Sequence, residues 1–351
     1  MAIGLDIGSS AVRVAELEQR RGGTLRLIRS GEVALPPGAV VDGDVVEPTV
    51  VADALRKLWD STGVRGRNVA VGLASQRVTV RQLDLPDMPD TELAAAVRLQ
   101  AQDQLPMPID EALLDYVVVE RYPVGDDRQN VRVLLVAAER EMVERLLTAV
   151  TGAKLRPILV DLDAFALLRS LATPTVLDEE AELVVDIGAT VTKIAVHRGG
   201  RPLFVRMVRL GGDASTRDLQ KVLELSWEEA EKAKLDASGA LASGVELDPD
   251  DERAGALRSG VRRVVTEIVT SLDFFRSQHE GEEVRRVVVS GGASLAPELV
   301  EKLHAALELP VGRGDPLRTV DATQRQGEPL HSGEEGPFLA VPVGLALGVL
   351  Q

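Results

Sequence analysis

The chain contains no cysteine, and this one absence removes disulfides, zinc–thiolate sites and thiol catalysis together, which fits a reducing compartment. A basic excess is missing too. Lys and Arg number 40 against 55 Asp and Glu, a formal charge of −15, so nonspecific binding of nucleic acid or anionic lipid is disfavoured by repulsion. The longest uncharged stretch, Gly336 to Gln351, is 16 residues, short of the roughly 20 needed to span a bilayer. The first apolar run already contains Asp6 and has no basic leader, so no signal peptide is expected. His197, His279, His304 and His331 are scattered without metal-ligand spacing. Neither a Gly-x-Ser-x-Gly elbow nor a Walker-type Gly-Lys-Ser/Thr loop occurs, so hydrolase and P-loop chemistry lose their main support. What remains is a globular chain of 351 residues with 45% hydrophobic content, enough for two domains with their own cores, expected in the cytoplasm.

What is present is a repeat. Leu5-Asp6-Ile7-Gly8-Ser9-Ser10-Ala11-Val12-Arg13-Val14-Ala15 returns as Val185-Asp186-Ile187-Gly188-Ala189-Thr190-Val191-Thr192-Lys193-Ile194-Ala195. The shared features are an apolar run ending in Asp, a Gly, small or hydroxyl residues, a basic residue at the same place and a closing Ala. The apolar runs predict buried strands, and each Gly predicts a tight turn whose N–H groups converge on an anionic oxygen. The amides of Gly8, Ser9 and Ser10, and of Gly188, Ala189 and Thr190, are the candidate donors. Asp6 and Asp186 then stand at strand ends facing one phosphate tail, as candidate ligands of a hydrated magnesium ion and, for Asp186, as an orienter of water. Asp before Gly at a strand end is also an ordinary turn former, but the duplication argues against that reading.

A third Gly-rich turn, Gly291-Gly292-Ala293-Ser294, follows a predicted strand from Val284 to Ser290. An amphipathic helix is predicted upstream, from about Ala254 to His279, with Val261, Val264, Val265, Ile268, Leu272 and Phe275 on one stripe. Strands alternate with helices throughout, which favours an α/β fold. The polar segment 321–336 reads as a surface loop.

Two phosphate-type turns followed by a Gly pair resemble, in that order, the nucleotide motifs of the actin, hexokinase and heat-shock chaperone superfamily. Val160 to Leu168 and Pro342 to Gly348 resemble its two connecting helices, with small residues suited to close crossing. Within that superfamily the chain is similar over essentially its whole length to the PilM family, actin-like components of the type IV pilus inner-membrane platform. The resemblance rests on Gly4 to Ser10, on Leu83 to Pro89, Asp90 to Leu105, Pro106-Met107-Pro108 and Leu114-Asp115-Tyr116, and on Gly211-Gly212-Asp213, Ala230-Glu231 with Lys234, and Leu272 to Ser277.

The resemblance implies an actin-like (ribonuclease H-like), duplicated, two-lobed ATPase fold related to that of FtsA, with an inserted subdomain in the first lobe. It divides the chain into a first-lobe core at 1–76, the insertion at 77–155, a connector and return at 156–178, a second lobe at 179–336 and a second connector at 337–351. It implies ATP as ligand. Gly8, Ser9, Ser10, Arg13, Gly188, Thr190 and Lys193 would lie at the phosphates, and Gly211, Gly212, Asp213, Glu231, Lys234, Gly291, Gly292 and Ala293 at the adenosine. Glu231 and Lys234, three apart on one helix, also fit a plain surface ion pair. Asp161 occupies the place where hydrolytic relatives orient water, although Asp at a helix start is equally a cap, and Asp163 is read as structural. Arg13 stands where the family usually has Lys, and Lys193 where an uncharged polar residue is expected. Slow or partner-dependent hydrolysis follows.

The resemblance further implies capture of the cytoplasmic N-terminal tail of a PilN-type bitopic membrane protein, which would hold the chain at the inner face of the membrane without insertion. A groove lined by Leu93, Val97, Gln100 and Ala101 is the expected seat of that tail. Pilus assembly motor ATPases are implied as further contacts, homo-oligomerisation is left open, and no nucleic acid is expected. The alternatives are a small-molecule kinase of the same superfamily and a cell-division actin homologue. The latter ends in an amphipathic membrane helix, whereas this chain ends Leu347-Gly348-Val349-Leu350-Gln351.

Overall fold

The computed structural model describes residues 1–125, 128–172, 180–243, 248, 251–279, 281–322 and 336–350. Strands β1 (Ala2–Ile7) and β2 (Ala11–Gln19) form a hairpin extended by β3 (Leu25–Ala34). All six residues of β1 are buried, as expected of a central strand covered on both faces. A small hairpin, β4 (Val40–Val41) and β5 (Asp44–Val45), leads into α1 (Pro48–Thr62). Pro48 opens this helix and left-handed Gly63 closes it, while Val51, Leu55, Leu58 and Trp59 form its buried stripe. Strand β6 (Asn68–Leu73) then runs parallel to β1.

The next segment builds a sheet of its own. Strand β7 (Val78–Pro86), helix α2 (Asp90–Gln104), β8 (Ala112–Val124) and β9 (Arg128–Glu139) give an antiparallel sheet in the order β7-β9-β8. Here one expectation is corrected. Leu93, Val97 and Ala101 of α2 are buried against Leu83, Leu85, Val131 and Leu135 of this same sheet, and only Gln100 of the four faces solvent. The apolar stripe of α2 is spent on its own sheet and leaves no groove of that lining.

Helix α3 (Arg140–Gly152) and β10 (Arg156–Leu162) return the chain to the first sheet, whose full order, with the late strand β16 (Val320–Asp321) at one edge, is β10-β6-β1-β2-β3-β16. Residues 160–162, expected as the start of a connecting helix, are instead strand, because their backbone pairs in parallel with Val71, Gly72 and Leu73. The helix, α4 (Asp163–Leu171), begins one residue later. The second sheet repeats the first: β11 (Ala181–Ile187), β12 (Thr192–Arg198) and β13 (Arg201–Val208) form a meander. Helices α5 (Asp213–Leu223), α6 (Trp227–Ala242) and α7 (Glu252–Gln278) follow, then β14 (Val284–Ser290), α8 (Leu299–Leu307) and β15 (Val311–Arg313). The sheet order is β13-β12-β11-β14-β15. The stripe predicted for α7 is its buried face, from Leu257 to the fully buried Phe275.

The chain finally crosses back. Strand β16 (Val320–Asp321) lies parallel to β3, adding to the first sheet, and α9 (Gly336–Leu350) packs on β1, β2 and α4. Of the surface loop read at 321–336, residues 323–335 lie outside the described residues. Helix α9 is apolar nearly all round, the pattern of a helix enclosed by protein. Among the described residues no helix is long and apolar enough to cross a membrane.

Three glycines set how closely α9 and α4 approach. A Cβ on Gly344 would meet the carbonyl oxygen of Ala166 at 1.8 Å, one on Gly4 the carbonyl of Pro342 at 1.9 Å, and one on Gly72 the Asp163 Oδ1 at 2.1 Å. Ser170 Oγ donates to the Ala340 carbonyl at 2.8 Å and Arg169 Nε to the Gly344 carbonyl at 3.0 Å, which ties the two helices. Gly344→Ala is therefore expected to lower unfolding free energy by about 1–3 kcal/mol through overpacking. Gly255→Ala, on a helical face where no described residue lies within 4 Å of the added Cβ, is expected to raise it by roughly 0.5–1 kcal/mol. Urea midpoints of the two variants check the contrast.

Candidate functional site

The two repeats are congruent atom for atom where it matters. Asp6 pairs with Arg13 across β1–β2, and Asp186 with Lys193 across β11–β12, at the same register. Gly8 N–H donates to the Ala11 carbonyl at 3.0 Å, and Gly188 N–H to the Val191 carbonyl at 3.0 Å. The turn tips then touch, with Ser9 Oγ and Thr190 Oγ1 2.5 Å apart. Two sheets that share no strand thus meet at a pair of hydroxyls, and a cavity of about 330 Å³ opens beneath them.

The cavity floor is a buried charge cluster. Lys193 Nζ stands 2.9 Å from Asp186 Oδ2 and 3.1 Å from Asp163 Oδ2. Arg13 Nη1 lies 3.7 Å from Asp6 Oδ2, and its guanidinium also sits 5.1 Å from the Phe338 ring centroid. Burial pulls the Lys193 ammonium down, but Asp186, Asp163 and Asp6 together outweigh it and hold it above its ordinary value. Burial pushes the Asp163 carboxyl up to about 7, against the pull of Lys193 and with help from Asp6 and Asp186. Asp6 is raised for the same leading reason, desolvation, opposed by Lys193 and Arg13. Asp163 Oδ1 is buried and has no hydrogen-bond partner among the described residues.

The opposite wall comes from the second sheet. Gly212 N–H donates to the Gly188 carbonyl and Asp213 N–H to the Ala189 carbonyl, both at 2.9 Å, so the 211–213 turn braces the second hairpin. Helix α6 is fixed by a capping box at Ser226 and Glu229. Its Glu231 accepts from Thr216 Oγ1 at 2.7 Å and meets Lys234 Nζ at 2.7 Å, so this pair is a buttressed element of the cavity wall as well as a helical ion pair. At the third turn Gly291 has φ 82°, and a Cβ there would meet the Ile187 carbonyl at 2.5 Å. Gly292 lies against Phe338, and the Pro337 carbonyl accepts from Ser290 Oγ at 3.1 Å.

Nearly every residue singled out in the sequence lines this one cavity: Asp6, Gly8, Ser9, Ser10 and Arg13; Asp186, Gly188, Thr190 and Lys193; Gly212, Asp213, Glu231 and Lys234; Gly291, Gly292 and Ala293. Two do not. Gly211 lies behind the wall, where a Cβ would meet the Gly188 carbonyl at 2.3 Å. Asp161 is turned away, ion-paired with Arg169 and accepting from the Leu162 N–H at 2.8 Å. The acid that reaches the cavity from this segment is Asp163, read as structural. Strand β10 ends at Leu162, and the turn into α4 carries Asp163 inward. Phe338, Leu235 and Leu257 also line the cavity without having been singled out. An aromatic at the start of the second connector, in a chain with 5 Phe, was the available signal for Phe338.

The donor set does not fit a magnesium ion held jointly by Asp6 and Asp186. Lys193 Nζ occupies Asp186 Oδ2 and Asp163 Oδ2, the oxygens that such an ion would need, and Arg13 stands beside Asp6. The described histidines serve elsewhere: His197 meets Glu182, His279 meets Gln82 and His304 the Leu309 carbonyl, while His331 lies outside the described residues.

A family model described as type IV pilus assembly protein PilM matches residues 4–349. A solved PilM–PilN type IV pilus biogenesis complex contains a chain similar to this one at TM-score 0.85 and 29% identity, covering 100% of this chain and 98% of that one. MreB5 of Spiroplasma citri bound to AMPPNP, at TM-score 0.54 and 12% identity over 98% of this chain and 94% of that one, shares the actin-like fold. The cell division protein FtsA of Pseudomonas aeruginosa is 25% identical over 95% of this chain and 87% of its own length. FtsA of Streptococcus pneumoniae serotype 2 is 26% identical over 66% of this chain, which spans only 54% of that protein.

The raised Asp163 carboxyl has a consequence for stability. Its folded value of about 7 lies above the ordinary 3.8, so its contribution is present at acid pH and is lost as pH rises through about 7. Asp163→Asn is expected to flatten the fall in unfolding free energy between pH 4 and 7 relative to the native chain. Parallel profiles in urea titrations would exclude Asp163 as the source.

Proposed function

The chain belongs to the type IV pilus assembly protein PilM family, and on that premise we propose that it is an ATP-binding, actin-like component of a pilus or related filament assembly platform. The observation that carries the nucleotide reading is the convergence of three Gly-bounded turns, at Gly8, Gly188 and Gly291, on one cavity of about 330 Å³, within the size range of small-ligand sites. The Ser9, Ser10, Ala189 and Thr190 amides, with the Ser9, Ser10 and Thr190 hydroxyls, would supply donors for a phosphate tail, whereas the Gly8 and Gly188 amides, also expected as donors, close their own turns on the Ala11 and Val191 carbonyls. The other end is walled by Leu235, Leu257 and Phe338 with the Glu231–Lys234 pair, which suits an apolar base carried on a polar sugar.

Hydrolysis on this reading is slow. Asp186 is engaged by Lys193 and Asp161 faces Arg169, so neither stands free as a general base. Magnesium accompanying the nucleotide would be held by phosphates and water and face Asp6 alone. The partition into 1–76, 77–155, 156–178, 179–336 and 337–351 is proposed with one refinement, that Val320–Asp321 joins the first sheet.

The proposed partner is the cytoplasmic tail of a PilN-type membrane protein, which would localise the chain at the inner face of the membrane. With the α2 stripe buried, an extended tail would add instead to a backbone edge of the inserted sheet, where β7 and β8 are the outer strands. Nucleotide would change tail affinity through its preference for one lobe arrangement. Pilus assembly motor ATPases and further copies of the chain are proposed as additional contacts.

Two measurements test this. Calorimetric titration of the chain with a synthetic PilN-type tail is expected to show saturable binding whose affinity differs with and without ATP, and absence of binding in both states would sink the partner reading. Lys234→Ala is expected to weaken ATP binding about tenfold, roughly 1.4 kcal/mol, with an unchanged thermal midpoint in the absence of nucleotide. An unaltered affinity would remove α6 from the site.

A further inference from the structure

Lys193 is a built-in counter-ion for the cavity. Its side chain is 10% exposed, and those of Asp163 and Asp186 are 5% exposed, so the three charges interact with little screening. It springs from β12 directly opposite Asp186, on the strand that also carries one of the two phosphate-type turns. Its position is therefore fixed by the ladder rather than by a flexible loop. An ammonium has three N–H donors. Two are directed at Asp186 and Asp163, and no further acceptor of Lys193 is found among the described residues. Lys193 lines the cavity, which leaves the third donor for what enters it.

A hydrated divalent ion at the same place would have to displace this ammonium or sit beside it, and like charges in a poorly screened site repel. The carboxylate oxygens that would face such a metal, Asp186 Oδ2 and Asp163 Oδ2, are already engaged by the one ammonium they share. Arg13 plays the lesser part at Asp6, where the separation is 3.7 Å.

Resting on the nucleotide reading above, we propose that Lys193 supplies the positive charge opposite the phosphate tail that a divalent cation would otherwise supply, so that this chain binds ATP without dependence on magnesium. The same clamp keeps Asp186 and Asp163 occupied, and binding is thereby separated from rapid turnover. The site is specialised to hold nucleotide as a ligand.

The test is ATP affinity by calorimetry in magnesium and in EDTA, for the native chain, Lys193→Gln and Lys193→Arg. The native chain is expected to change less than about threefold between the two buffers, as is Lys193→Arg, which keeps the charge. Lys193→Gln is expected to lose at least tenfold in EDTA and to recover with magnesium, because Asp186 and Asp163 are then free to take the metal. A tenfold or greater loss for the native chain in EDTA overturns the proposal, as does native-like affinity of Lys193→Gln in EDTA. If Lys193→Gln does not fold, the native comparison decides alone. Failure of the native chain to bind ATP in either buffer would instead overturn the nucleotide reading itself.

Discussion

Two backbone contacts without room for a side chain hold the centre of this molecule together: the Ala166 carbonyl over Gly344, and the Pro342 carbonyl over Gly4. They bring α4 and α9 against each other and seat α9 on β1. Because close-packed cores do not yield gradually, that spacing is passed to everything mounted on it. Asp163 opens α4, and Pro337 and Phe338 stand in the first turn of α9. The same helices that link the sheets therefore contribute an acid, an aromatic ring and a carbonyl acceptor to the cavity. A change in their crossing would be felt at the site without any contact to its occupant, the arrangement that hinge-coupled closure requires.

The second theme is charge. The chain is acidic overall, with a formal charge of −15, yet its cavity brings Arg13, Lys193 and Lys234 to face Asp6, Asp163, Asp186 and Glu231. Each cation has a carboxylate within 3.7 Å. Such pairs, stripped of water, contribute little to stability once desolvation is counted, and their value here is in preorganisation. Donors and charges are fixed before a ligand arrives, so less ordering is required on binding.

Much of this was legible in the sequence, because the signals were local. Asp-Ile-Gly followed by small residues specifies a strand and a turn by sterics alone, and the repetition at Asp186-Ile187-Gly188 carried the idea of two lobes. The stripe on α7 and the strand from Val284 to Ser290 follow from periodicity. Where the reading went astray, the deciding interaction was distant in sequence. Residues 160–162 became strand because β6 offered a parallel ladder. The stripe of α2 closed over its own sheet, since an amphipathic pattern states that a face is buried but not against what. Asp161 and Asp163 exchanged places because Lys193, on a strand of the second sheet, meets Asp163 in the cavity, while Asp161 is taken by Arg169 of α4.

The sequence by itself determined the duplicated hairpins, the α/β class and the three Gly-bounded turns. Each rests on backbone sterics or side-chain periodicity within about a dozen residues. The tertiary structure alone decided which acid enters the cavity, that Lys193 bridges two carboxylates, that Phe338 stacks beneath Arg13, and that Val320–Asp321 crosses back to the first sheet. Those are distances between segments brought together by packing, and the charges and shapes that set them act through space rather than along the chain.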